Sequence, residues 1–322
     1  MTYSAGGLIQ AVDYNGFAND TGGANANGVW ATGSTDRGYG QSALGTVAAT
    51  NTVTATQWAS LVNTISSIAS HQGTTITARA APTAGNLISI FAALSTDLTN
   101  CTTNRGNAVA NGTQFTGWTG TNSKTATTSG ASWTITFTNT VTFASADAAR
   151  YFFNAGGRVK IDVSKTSTGN TGDPEWNDLA NTLCGDIYIT GGTATQTIAG
   201  SSYTGTTKVG GTGTPTTLAT TTGWYDLTAG AGATIVYKQF ADTAPYTANF
   251  IQHSIAKGAG SDTLVITTLW QNTDSDPITG GTASSGATPG TAPTTIVTYF
   301  PPSSTYLTTA AWGTPSVAAT TT

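Results

Sequence analysis

Charged side chains are scarce in this sequence: Asp, Glu, Lys and Arg make up 8% of 322 residues, against roughly 25% in an average soluble domain. The eleven Lys and Arg are dispersed, so no basic stripe is available to neutralise phosphates, and no nucleic-acid partner is expected. Fifteen acids leave a net charge of −4, without a run of like charge that would form a tail. Two cysteines, Cys101 and Cys184, form no CxxC and have no histidine at metal-ligand spacing. They read as buried small hydrophobes, with a disulfide left to geometry. No 18-residue apolar stretch exists to span a membrane. The opening Met1–Ala5 lacks the charged and apolar regions of a secretory signal, so the expectation is a chain made in a cytoplasm and not exported by the general secretory route.

Catalytic chemistry is equally thin. The two histidines, His71 and His253, have no second zinc ligand nearby and no HExxH. Ser and Asp are too abundant for a Ser-His-Asp triad to be read from spacing. Glycosidases need two carboxylates, yet Glu175 is the only glutamate. Its neighbours Asp173 and Asp178 open a helix-like segment, where negative charge complements the helix dipole. Asp274 and Asp276 offer oxygens to Ca²⁺ without the rest of an EF-hand loop, in a segment where Asp is an ordinary turn residue. Gly205–Gly213 lacks the Lys-Ser/Thr pair and helix of a phosphate cradle. No catalytic residue, cofactor or metal is expected.

What the chain does have is threonine and glycine, 70 and 39 residues, with 38% hydrophobic and 9% aromatic side chains. That is core material, not the signature of disorder. Many β-branched residues and many glycines describe strands joined by turns.

Residues 1–52 carry aromatics in Gly-, Ala- and Asn-rich surroundings and read as an extended arm that docks on its own domain or on a partner. Residues 53–110 form a small helical region. Trp58, Leu61, Val62, Ile65, Ile68 and Ala69 recur at helical spacing, with Thr54 or Thr56 as cap and Gly73 just beyond. His71 ends that helix, where a cation suits the dipole. A second helix is expected from about Thr83 to Thr99, with Leu87, Ile88, Phe91, Leu94 and Leu98 on one face. From residue 111 to 317 the period becomes two, most clearly at Trp133, Ile135 and Phe137. Strands are expected at Tyr151–Phe153, Gly157–Val163, Asp186–Thr190, Ala233–Gln239, Asn249–Ala256, Thr263–Trp270 and Thr295–Phe300. Asp173 and Pro174 open a short helix with Trp176, Leu179, Ala180 and Leu183 on one face. The fold class is mainly β: an arm and a small helical segment, then an antiparallel sandwich with a short inserted helix. Gly280–Pro293 and the tail 318–322 are low in complexity and expected to be mobile or ordered by a partner.

The most distinctive segment runs Arg150-Tyr151-Phe152-Phe153-Asn154-Ala155-Gly156-Gly157-Arg158-Val159-Lys160-Ile161. Its local reading is an aromatic strand, a hairpin turn through Asn154, Gly156 and Gly157, and an alternating strand. The segment resembles the Tyr-Phe-Phe-Asn-x-Gly-Gly motif of structural proteins in tailed bacteriophages, especially tail-fibre or other virion proteins of contractile-tailed cyanophages. Gly38–Gln41, Val53–Leu61 with His71-Gln72 after the helix, the Trp176–Leu179 helix, Thr222-Gly223-Trp224-Tyr225-Asp226-Leu227 and Ala310–Trp312 fit the same pattern. In order, these pieces cover most of residues 38–312. The resemblance implies a non-enzymatic virion component assembled in the host cytoplasm: a tail fibre, spike or baseplate-associated protein acting in assembly and host attachment. A head decoration or neck fibre is the alternative within the virion, and a tail-borne glycan hydrolase the enzymatic rival. It also implies a homo-oligomer, a trimer by preference, contacts with other virion proteins through the arm, and a host glycan or protein as receptor. Tyr151, Phe152, Phe153, Asn154, Gly156, Gly157, Trp58, Trp176 and Trp224 are its structural motif residues.

Overall fold

The computed structural model describes residues 10–19, 24–83, 91–122, 132–166, 173–273, 278–279, 282–283 and 293–322. Asp274, Asp276, Leu87, Ile88 and most of Gly280–Pro293 lie outside the described residues. Six helices are described: α1 (Ala11–Asn19), α2 (Ala26–Trp30), α3 (Ala55–Gln72), α4 (Phe91–Thr103), α5 (Ala146–Asn154) and α6 (Asp173–Asp178). The π-helical segment Leu179–Cys184 continues α6. The strands are β1 (Phe115–Thr121), β2 (Trp133–Thr142), β3 (Arg158–Ser164), β4 (Asp186–Ile189), β5 (Gln196–Ile198), β6 (Ser201–Tyr203), β7 (Thr206–Val209), β8 (Thr217–Leu218), β9 (Thr234–Phe240), β10 (Phe250–Lys257), β11 (Thr263–Asn272), β12 (Ile278–Thr279), β13 (Thr282–Ala283), β14 (Thr294–Phe300) and β15 (Ser316–Thr321).

The protein is mainly β, and its two large sheets are antiparallel throughout. One is ordered β1-β14-β3-β4-β7, the other β15-β2-β11-β10-β9-β8. Alternation on β2 buries Trp133, Ile135, Phe137, Asn139 and Val141 on one face, as period two requires. These residues meet the opposite sheet: Trp118 packs 5.3 Å from Phe137, and the Tyr299 hydroxyl donates to Asn139 Oδ1 at 3.1 Å. The inserted helix closes one end, with Trp176 4.9 Å from Trp133 and 5.8 Å from Trp270.

α3 has the expected bounds. Thr54 and Gln57 form a reciprocal capping box, and Gly73 ends the helix at φ +71°. α4 runs on to Thr103, which places Cys101 in its last turn. Cys101 and Cys184 are both buried free thiols, pushed up to about 12 by burial and therefore unreactive.

Three expectations are corrected. The first concerns residues 1–52, whose described part is not an extended arm. α1 and α2 pack onto α3, and Tyr14, Phe17, Trp30 and Tyr39 are buried in the common core. Two asparagines add side-chain ties between these helices and the segment that follows. Asn15 exchanges two hydrogen bonds of 2.8 Å with the Val47 backbone, and Asn27 binds the Leu44 backbone in the same way. The second concerns residues 318–322, expected to be a flexible tail: β15 runs through Thr321 and pairs with the edge of β2. Backbone pairing needs no distinctive side chains, which is why low complexity misleads there. The third is the aromatic motif. Tyr151–Phe153 is helical, in α5, and not a strand. Ser145 caps the Ala148 N–H at 3.1 Å, and Ala148, Ala149, Phe152 and Phe153 form one buried face.

The turn after the motif is accordingly a helix cap, not a hairpin. Gly156 takes φ +90°, its N–H donates to Phe153 O, and the Gly157 N–H donates to Phe152 O at 2.8 Å. This is a Schellman arrangement, in which a left-handed glycine satisfies the last helical carbonyls. Both glycines are sterically required. A Cβ on Gly156 would sit 2.6 Å from Ala108 Cβ, and one on Gly157 would collide with the Phe152 carbonyl and ring.

Candidate functional site

The end of α5 is where distant pieces of the chain meet. Phe153 stacks on Trp224 at 5.1 Å, and Phe152 packs against Phe143 at 5.4 Å. Asn154, itself buried, joins three segments. Its Nδ2 donates to Gly38 O at 3.0 Å, while its Oδ1 accepts from the Tyr225 hydroxyl. Arg150 grips the same loop by donating to Arg37 O at 2.6 Å and Thr32 O at 2.7 Å. Behind the helix, His71 Nε2–H donates to Ala155 O at 3.0 Å. Gln72 Nε2 donates to the Tyr39 hydroxyl at 2.8 Å, and Tyr39 in turn donates to Arg105 O at 2.7 Å. Gln41 Nε2 donates to Thr309 O at 3.0 Å, and its Oε1 accepts from the backbone N–H groups of Thr308 and Thr309 at 2.9 Å. A Cβ on Gly40 would strike Tyr151 and Ala311.

Seven of the expected motif residues therefore come together: Tyr151, Phe152, Phe153, Asn154, Gly156, Gly157 and Trp224. Trp58 and Trp176 do not. Trp58 packs against Tyr14 and Phe17 in the helical layer, and Trp176 lies at the sandwich end. The long-range hydrogen bonds of Arg150, Tyr225 and Gln41 have no local signal, because their partners lie at least 70 residues away.

Beside the junction opens a cleft of about 600 Å³, lined among others by Asp36, Arg105, Asp147, Arg150, Gln196 and Lys257. Its charges are largely matched internally. Asp36 pairs with Arg105, Asp147 pairs with Arg150 at 2.9 Å, and Asp226 accepts from the Gly223 N–H at 2.8 Å. Lys257 lies 4.6 Å from the Trp224 ring centroid, with its pKa lowered by burial against a smaller opposing pull from Asp226. Neither histidine lines the cleft. Burial lowers His71 to about 4, against a smaller upward pull from its bond to Ala155, and it lowers His253 to about 3. The helix end thus holds a neutral imidazole, not the cation that its dipole position suggests. His253 Nδ1 lies 3.0 Å from Thr268 Oγ1, and its ring stacks on Tyr237.

Truncating Asn154 removes two hydrogen bonds at once, one to the Gly38 carbonyl and one from the Tyr225 hydroxyl. Asn154→Ala is expected to cost about 1–3 kcal/mol, because the Gly38 carbonyl and the Tyr225 hydroxyl each lose a hydrogen bond to a buried side chain. Urea unfolding checks this: the midpoint should fall at constant m-value. A variant as stable as the parent would show that Asn154 does not join these segments.

No protein-family model, curated protein or solved structure matches the chain.

Proposed function

We propose that this chain is a non-enzymatic structural subunit of a tailed-phage virion, within a tail fibre, spike or baseplate-associated assembly that serves attachment. The observation that carries the reading is the convergence at α5. Arg150–Gly157, Gly38–Gln41, His71-Gln72, Gly223–Leu227 and Ala310–Trp312 resemble phage structural proteins, and they meet at one junction whose polar groups are largely spent on one another. Such use of side chains holds a shape; it leaves little free to act on a substrate. Both histidines are held in bonds to neighbouring protein groups and buried, so neither serves as a general base near neutral pH.

β15 supports the oligomeric part of this reading. It lies at the edge of its sheet, and Ser316–Thr321 contains no charge and no proline. Charge and proline are among the devices by which natural sheets protect such an edge. An edge without charge or proline, on a chain of low charge, suits packing against identical copies, and a closed ring of three is the arrangement we favour. The test is the protein content of purified phage particles, measured by quantitative mass spectrometry. The reading expects this chain in a fixed copy number, a multiple of three, in proportion to the tail proteins. Particles that lack it, or cleavage of host glycans by the purified chain, would overturn the proposal.

A further inference from the structure

A second cluster lies away from the junction, where α6 meets the loop after β9. Glu175, Asp178 and Asp242 each place one carboxylate oxygen within 4.8 Å of the other two. Three of the chain's fifteen acids thus face one another. Glu175 is 8% exposed, and its Oε1 has no hydrogen-bond partner. The Thr243 hydroxyl donates to Asp242 Oδ1 at 3.2 Å, and Oε1 of Glu175 is left without a donor. A buried carboxylate oxygen left bare beside two further carboxylates is costly on both counts. Burial raises the pKa of Glu175, and Asp242 and Asp178 raise it further; no Lys or Arg is among the groups that offset them.

We propose that Glu175, Asp178 and Asp242 bind a hard divalent cation, Ca²⁺ by ligand type, which clamps the inserted helix to the loop after β9. Ca²⁺ takes oxygen ligands at about 2.3–2.6 Å, so ligands on opposite sides of one ion stand up to about 5 Å apart, which spans this cluster. Three carboxylates leave coordination positions for water, as weaker Ca²⁺ sites do. The burial of Glu175 also argues against a glycosidase pair, since a glycosidic bond has to reach both carboxylates.

Trp176, adjacent in sequence to Glu175, supplies a direct readout. In chelator-stripped full-length protein, Tb³⁺ should show tryptophan-sensitised emission that Ca²⁺ competes away and Mg²⁺ displaces only weakly. Glu175→Gln and Asp242→Asn should each weaken Tb³⁺ binding by ~10-fold or more. Ca²⁺ should also raise the Tm of the parent by several degrees and leave both variants unchanged. Without metal, Glu175→Gln should melt at or above the parent temperature, because it removes an uncompensated buried charge; a role in packing alone would lower it in both conditions. Asp242 is exposed, so its variant retains the fold and keeps the test open. Absence of sensitised emission and of a Ca²⁺-dependent Tm, or emission that survives unchanged in both variants, would overturn the assignment.

Discussion

Between pH 7 and pH 4 the protein is expected to lose about 6 kcal/mol of stability through its two histidines alone. In the unfolded chain each titrates at its ordinary value of 6.5; in the fold, His71 is held near 4 and His253 near 3. The fold therefore keeps both rings neutral while the unfolded chain takes up two protons. Each histidine's stabilising share is fully present above pH 6.5 and shrinks as pH falls towards its folded value. By pH 4 that is about 3 kcal/mol apiece, against total stabilities of about 5–15 kcal/mol. The cause is burial in both cases, relieved at His71 only in part by its bond to the Ala155 carbonyl. Glu175 and Asp186 carry the opposite sign, since burial raises their carboxyls and acid favours them in the fold. Urea unfolding at half-unit pH intervals checks the window. A slope approaching two protons below pH 6 supports the account, whereas constant stability down to pH 5 contradicts it.

Asp97→Ala should cost about 3–5 kcal/mol, the range for one partner removed from a buried ion pair. Asp97 on α4 pairs with Arg79, and the side chains are only 4% and 5% exposed. It also accepts the Thr77 N–H at 3.1 Å, so a single carboxylate ties the segment 74–80 to the helical layer. That segment has no helix or strand of its own to hold it. Without Asp97 the guanidinium stays buried and uncompensated, and its Nε already lacks a partner. Asp97→Leu combined with Arg79→Met should recover most of the loss, because an apolar pair carries no desolvation penalty. The double-mutant cycle reads this by chemical unfolding. An Asp97→Ala variant within about 1 kcal/mol of the parent would mean that the pair does not hold the segment.

The parts of the fold legible in the sequence are those with local causes. Trp133, Ile135 and Phe137 mark β2 because alternation is set by the pleat, whatever the strand pairs with. Thr54, Gln57 and Gly73 mark α3 because a capping box and a left-handed cap are complete within their own few residues. Tyr151, Phe152 and Phe153 mislead because aromatics favour strands on average. The competing signals were present: Ser145 as cap, the alanines at 146, 148 and 149, and Gly156 as a left-handed helix stop. At the junction, the glycine requirement at Gly156 and Gly157 was legible and the geometry was not. The bonds from Asn154 to Gly38, from Gln41 to Thr308 and from Asn15 to Val47 join positions 32 to 267 residues apart. No local pattern records such pairings.

The proposal that this chain builds a virion is tested most directly by cryo-electron microscopy density of the purified particle at side-chain resolution. The account predicts that this chain fits tail or baseplate density, with α1 and α2 folded onto α3, the α5 junction intact, and symmetric copies meeting along β15. Complete density for every tail, baseplate, neck and head component that leaves no place for this chain would contradict it.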